Sequence, residues 1–142
     1  MLKTILAISG KPGLYKFITR GKNTLIVESI DAAKKRMPTY SSNRIVALSD
    51  ISIYTDDDSE IPLAKVFQNI LEAYDGKAVG LHPNKASQEE LVAFFLKALP
   101  NYDTDRVRVS DMRKVLSWYN ILVGEGLTDF DVKEEEAGAE EA

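Results

Sequence analysis

Three aspartates, three arginines and a Trp-Tyr pair lie within DTDRVRVSDMRKVLSWYNIL (residues 103–122), the segment whose composition most resembles a site. Asp103 and Asp105 begin like a calcium loop, which sets oxygen ligands on alternate residues so that they converge on the ion. Counted from Asp103, position six is Arg108 where the template has glycine, and position twelve is Lys114 where it has glutamate. Two bases thus replace the turn residue and the bidentate ligand, and the calcium reading fails. The segment reads instead as a corner between two helices, with its aspartates closing turns and pairing with Arg106 or Arg108. Asp56, Asp57 and Asp58 are contiguous, so their carboxylates point apart, as suits an acidic linker.

The remaining chemistry is thinner. His82 is the only histidine, so every histidine-based mechanism would run through GLHPN (80–84), where the imidazole precedes a proline in a loop. Such a mechanism also needs a nucleophile and an orienting carboxylate beside the imidazole, and the sequence places neither there. SGKPG (9–13) has the glycines and lysine of an anion loop. A phosphate loop needs a strand before it and a helix after, and Pro12 removes an N–H that a phosphate would use. Pro12-Gly13 fits positions i+1 and i+2 of a type II turn better. No catalytic, cofactor-binding or metal-binding residue is therefore assigned, and no small-molecule substrate. The chain is expected not to be an enzyme.

Charge is distributed unevenly. Of 142 residues, 44% are hydrophobic, enough for a buried core, and the net charge is −4. Residues 1–55 carry nine Lys/Arg against three Asp/Glu, whereas residues 56–142 carry nine against nineteen. Such asymmetry hints at an acidic partner. There is no cysteine, which excludes disulfides, thiolate metal sites and cysteine nucleophiles and suits a reducing cytoplasm. The apolar run after Lys3 is too short for a signal peptide, and no stretch reaches the roughly 20 apolar residues of a membrane span. A cytoplasmic protein that engages no membrane is expected.

Periodicity divides the chain. GLYKFITRGKNTLIVESI (13–30) alternates, reverses at Arg20–Asn23 and resumes with β-branched residues, a hairpin pattern with glycine where a positive φ is needed. RMPTY, RIVAL and ISIYT read as further short strands, Pro38 marking an edge. Five short strands suit a small SH3-like β-barrel over 1–58. Past TDDDSE (55–60) the period becomes helical. Leu63, Val66, Phe67, Ile70, Leu71 and Tyr74 form one amphipathic stripe, with Pro62 at its start and Gly76 at its end. Ser87 and Glu90 form a capping box before a helix apolar around most of its circumference, expected at the centre of the helical part. Ser110 is expected to cap a third helix with Met112, Val115, Leu116, Tyr119 and Leu122 inward. The expected class is α+β, a three-helix domain over 59–126 following the barrel and a disordered acidic tail over 127–142.

The phrases SGKPGLYK and KVLSWYNIL, within a match over about residues 1–123, resemble a domain-of-unknown-function family of Bacteroidota proteins. The resemblance implies a β N-terminal part and a helical C-terminal part. It brings no activity and no site residues.

Two binding expectations remain. Lys16, Arg20, Lys22, Lys34, Lys35, Arg36 and Arg44, interleaved with Tyr15, Phe17 and Tyr40, would form a surface for RNA or another acidic partner, cations drawing phosphates and aromatics stacking bases. The acidic tail would compete for that surface. The other expectation is a protein–protein or homo-oligomerisation module without nucleic acid. Trp118 is its interface residue, standing beside the buried stripe and expected to close the third helix onto the barrel.

Overall fold

A computed structural model describes residues 4–8, 13–31, 33–40, 44–128 and 130. Seven strands, β1 (Ile5–Ile8), β2 (Tyr15–Gly21), β3 (Thr24–Ser29), β4 (Arg36–Tyr40), β5 (Ile45–Ala47), β6 (Ser52–Tyr54) and β7 (Glu60–Pro62), precede three helices, α1 (Leu63–Ala73), α2 (Gln88–Ala98) and α3 (Val109–Gly124). The class is α+β. The first five strands form an antiparallel sheet in the order β4-β3-β2-β1-β5, with β4 and β5 as its edges. The sheet is not closed. Strand β6 was expected within it and pairs instead with β7 in a separate two-stranded sheet.

Strand β1 stands between β2 and β5, and both of its faces are apolar. Leu6 and Ile8 face one side, where they form a small cluster with Tyr15 and Val27; Ile5 faces the other and joins the main core. Alternation is erased in a strand covered on both sides, so the sequence pattern did not reveal it. Pro38 lies on the edge strand β4, where a missing N–H interrupts no central ladder. Between β2 and β3 the left-handed residue is Asn23 (φ 60°), not Gly21. Gly21 serves a different need, since a Cβ there would come within 2.7 Å of Thr24 Oγ1. The β2–β3 register shifts between Phe17 and Thr19, a bulge that increases local twist.

The main core gathers α1, α2 and α3 around Phe67, Phe95 and Tyr119, and takes in Ile5, Leu14 and Leu48 from the N-terminal part. Leu48 opens a 3₁₀ turn (Leu48–Asp50) that packs against β1 and α1 and carries the junction between the two parts. The helix expected at the centre was α2, but α1 is the more enclosed: Leu63, Ala64, Val66, Phe67 and Ile70 are all at 0% exposure. Helix α2 contacts both other helices yet leaves Leu96 44% exposed. Its capping box is complete, Ser87 Oγ accepting from Glu90 N at 3.1 Å and Glu90 Oε1 from Ser87 N at 3.0 Å. Helix α3 begins two residues earlier than a Ser110 cap would allow. Arg108 is its extended N-cap, and Asp111, three residues on, accepts the Arg108 N–H at 3.0 Å. Beyond α3, Leu127 N–H donates to Leu122 O at 2.8 Å, and Phe130 is buried 5.4 Å (ring centroids) from Phe67. The acidic run from 131 onward lies outside the described residues.

Candidate functional site

The corner between α2 and α3 borders a groove. Asp103 Oδ1 accepts from Asp105 N at 2.9 Å, and its main-chain oxygen accepts from Val107 N at 2.9 Å, so the aspartate builds the turn. Val107 is buried and anchors the corner. Arg106 is thereby projected over Tyr54 of β6, its guanidinium carbon 4.9 Å from the ring centroid. Asp103 lies 3.5 Å and Asp58 3.9 Å from the same guanidinium. The groove holds about 300 Å³ between β6 and α3, with Ile53, Tyr54, Arg106, Val107, Lys114 and Trp118 among its walls. Tyr54 is 40% exposed, Lys114 exposed and Trp118 half-buried.

Strand alternation leaves part of β6 open on this side. Ile51, Ile53 and Thr55 direct their main-chain groups to β7, so Ser52 and Tyr54 direct theirs away from it. Tyr54 O accepts from Asp103 N at 2.9 Å, and Asp56 N donates to Asn101 O at 2.9 Å. The corner segment thus covers the far half of this edge and stops short of Ser52. Trp118 was expected to close α3 onto the barrel. It stands beside β6, whereas the 3₁₀ turn joins the five-stranded sheet to α1.

The seven basic residues do not share one location. The register aligns Lys16 of β2, Glu28 of β3 and Arg36 of β4 in a row, with Glu28 Oε2 3.2 Å from Arg36 Nε. A carboxylate therefore sits between two of the cations and offsets their field. Lys34 and Lys35 precede β4, at the end where Asp31 accepts main-chain N–H bonds from Ala33 and Lys34, both at 3.0 Å. The Ser29 hydroxyl foremost, together with those bonds, holds the Asp31 carboxyl below the usual aspartate range. Arg44 precedes β5, whose Ile45 pairs with the last residue of β1 at this same end. Arg20 and Lys22 lie at the other end, roughly 17 Å away along a six-residue strand. The aromatics divide too. Tyr15 is buried and Phe17 half-buried in the inner cluster of the sheet, so neither offers a stacking face, while Tyr40 is 57% exposed and pairs with Thr24 at the Arg20–Lys22 end.

The other chemistry-bearing residues serve turns. His82 Nδ1 accepts from Asn84 N at 3.2 Å, and its main-chain oxygen accepts from Ala86 N at 2.8 Å. The Thr55 hydroxyl donates to Asp57, which also accepts from Ser59 N at 3.3 Å; these bonds, the hydroxyl first, lower the Asp57 pKa. Gly13 has φ 83°, as position i+2 of the expected turn requires, while Ser9–Pro12 lie outside the described residues. Among the described residues no group of three or more His, Cys, Asp and Glu is spaced to hold a metal ion, and no helix is long and apolar enough to cross a membrane.

Asn120 and Arg113 of α3 were not singled out from the sequence and proved to matter, and Tyr119, expected inward, adds a hydrogen bond to the same loop. Asn120 accepts from Val79 N at 2.8 Å and donates to Val79 O at 3.2 Å, pairing with that residue as a strand neighbour would. Tyr119 OH donates to Lys77 O at 2.8 Å, and Arg113 to Pro83 O at 2.6 Å. Burial, with a smaller contribution from Tyr74, pushes the Tyr119 hydroxyl pKa up. Together the three side chains hold the 77–83 loop along α3. Only the presence of Asn in a helix interior, where its propensity is poor, could have signalled this.

A family model described as domain of unknown function (DUF6852) matches residues 51–122, and another, domain of unknown function (DUF5606), matches residues 2–48. The chain belongs to the DUF6852 family. The two matches meet at the 3₁₀ turn, which puts β6 and β7 with the helices. A solution NMR structure of a protein from Bacteroides vulgatus is 52% identical, with a TM-score of 0.78, covering 92% of this chain and 91% of its own. That relative agrees with the Bacteroidota resemblance read from the sequence. No curated protein matches.

Proposed function

We propose that the protein is a non-enzymatic, cytoplasmic binding or adaptor module that docks a protein partner in the groove between β6 and α3. The observation that carries this reading is the convergence of Tyr54, Arg106, Lys114 and Trp118 on one groove. Tyr, Trp and Arg are the side chains that most often dominate binding energy at protein interfaces. Arg106 is already stacked on Tyr54 and paired with Asp103, so part of the ordering cost of binding is met before a partner arrives. Lys114 has no acidic partner among the described residues and offers a contact for a carboxylate.

The N-terminal sheet is read as an incompletely closed SH3-like barrel. In support, Leu6, Ile8, Tyr15 and Val27 are buried in a cluster that contains no helical residue, so the curl of the sheet itself excludes water. An RNA or nucleoprotein partner is the second reading, favoured by the exposed Tyr40 near Arg20 and Lys22. Here the surface would be this one end and not the full set of seven bases.

Photo-crosslinking in the native host separates the two. A photoreactive phenylalanine analogue at Tyr54 is expected to give a discrete protein adduct, lost on Trp118→Ala, while the analogue at Glu72 on α1 gives none. Equal adducts from positions 54 and 72 would refute groove docking, and a nucleic-acid adduct from position 40 would favour the second reading.

A further inference from the structure

The outward face of α2 carries apolar side chains that its own fold leaves partly exposed. Leu91, Phe94, Phe95 and Ala98 turn inward, which leaves Glu89, Val92, Ala93, Leu96 and Lys97 on the opposite side. Leu96 is among the few large apolar side chains exposed to more than a third among the described residues. With Val92 and Ala93 it lines a shallow depression that Gln88 and Glu89 border. Tyr74 and Lys97 border a second depression, which meets the first at Ala93. No other element of the described chain covers Ala93 and Leu96, and Val92 beside them is only partly buried, so an apolar strip is left open on this face.

Charge and symmetry identify the occupant. The acids Glu89 and Glu90 lie in the first turn and Lys97 in the last. Glu90 is engaged in the capping box, whereas Glu89 is paired with no base among the described residues. Lys97 lies 5.3 Å over the Tyr74 ring and meets no carboxylate among the described residues. A two-fold axis through Ala93 would run two α2 helices antiparallel and set Glu89 of each against Lys97 of the other. The small Ala93 side chain at the axis lets helices approach to the usual 8–10 Å, with Leu96 and Val92 filling either side. An isologous contact needs such self-complementarity, which a patch of one charge sign would lack.

We infer that the protein self-associates through α2 as an antiparallel two-fold dimer centred on Ala93, held by Leu96 and by reciprocal Glu89–Lys97 pairs. One eleven-residue helix covers less area than a standard interface, so the dimer is weak and concentration-dependent. It is independent of the β6–α3 groove, which lies on other elements.

Sedimentation equilibrium of the full chain tests it. The weight-average mass is expected to rise above 15.8 kDa with concentration, toward twice that value. Leu96→Asp is expected to hold the mass at the monomer value. Lys97→Glu is expected to weaken association by roughly three- to tenfold, and Glu89→Lys combined with Lys97→Glu to restore most of it. All three positions are exposed, and unchanged urea midpoints would show that the variants fold. A wild-type mass that stays at the monomer value up to roughly 0.5 mM, a range that captures weak dimers, overturns the inference. So does association that Leu96→Asp leaves intact, or a charge exchange that restores nothing. Crosslinking from Tyr54 should be unaffected by any of these variants, so failure here leaves groove docking standing.

Discussion

Tyr119 is fully buried, yet its hydroxyl reaches Lys77 O at 2.8 Å. Tyr119→Phe keeps the packing and strands the carbonyl, so it is expected to cost about 1 kcal/mol in urea unfolding. Asp57 gives a prediction with a pH sign. Its folded pKa is depressed below the usual value of about 3.9, so its contribution is present above that value and lost as pH falls through the folded pKa. Asp57→Asn is therefore expected to be less stable than wild type at pH 7, with the gap closing as pH falls below the usual aspartate value toward the depressed folded pKa. Denaturant midpoints at several pH values check this. At this scale the sequence was informative where a residue acts on its own main chain: Ser87 with Glu90, and Asp103 in its turn. It was misleading where the role depends on a neighbour across the fold. The need for a left-handed residue in the β2–β3 turn was visible, but whether Gly21 or Asn23 met it depended on how close Thr24 comes.

Helix positions followed from periodicity because α1 and α3 each bury a coherent stripe. Their relative burial did not follow. An apolar circumference made α2 look central, whereas burial depends on what the neighbouring elements cover, and among the described residues Leu96 is left exposed and Val92 only partly covered. Strand β1 was hidden for the opposite reason, being covered on both faces. Strand β6 has a plain strand composition, but its partner is chosen by the short turn to β7. Ser87→Ala removes one half of the α2 capping box and is expected to cost about 1 kcal/mol, read as a lower denaturant midpoint. Asn120→Ala should release the 77–83 loop from α3. Hydrogen exchange at the Val79 amide, which donates to Asn120, is expected to accelerate while amides in the middle of α3 keep their protection.

Across the whole molecule, two apolar clusters meet where Leu48 enters the helical core. Leu48 is at 0% exposure, so Leu48→Ala is expected to cost about 2–5 kcal/mol by opening a cavity at the junction. The division into a β part and a helical part was legible in the change of period, and the family matches divide at 48–51, earlier than the acidic turn that looked like the linker. The candidate site was legible only as a set of residue types. Tyr54 lies far in sequence from Arg106 and Trp118, and only the placement of β6 beside α3 brings it to them. Charge asymmetry likewise said nothing of location, because a period-two register sends neighbouring bases to different faces and ends.

The central claim, that the β6–α3 groove receives a protein partner, has a built-in reporter, because Trp118 is the only tryptophan. Titrating the partner captured from Tyr54 against the full chain, in a tryptophan-free form or with Trp118 selectively labelled, should shift the Trp118 signal in a saturable way. Lys114→Glu and Tyr54→Ala should each weaken that response by about tenfold or more, on the scale of a 1.4 kcal/mol interface contact. Saturable binding that leaves the Trp118 signal unmoved and is indifferent to both substitutions would contradict it.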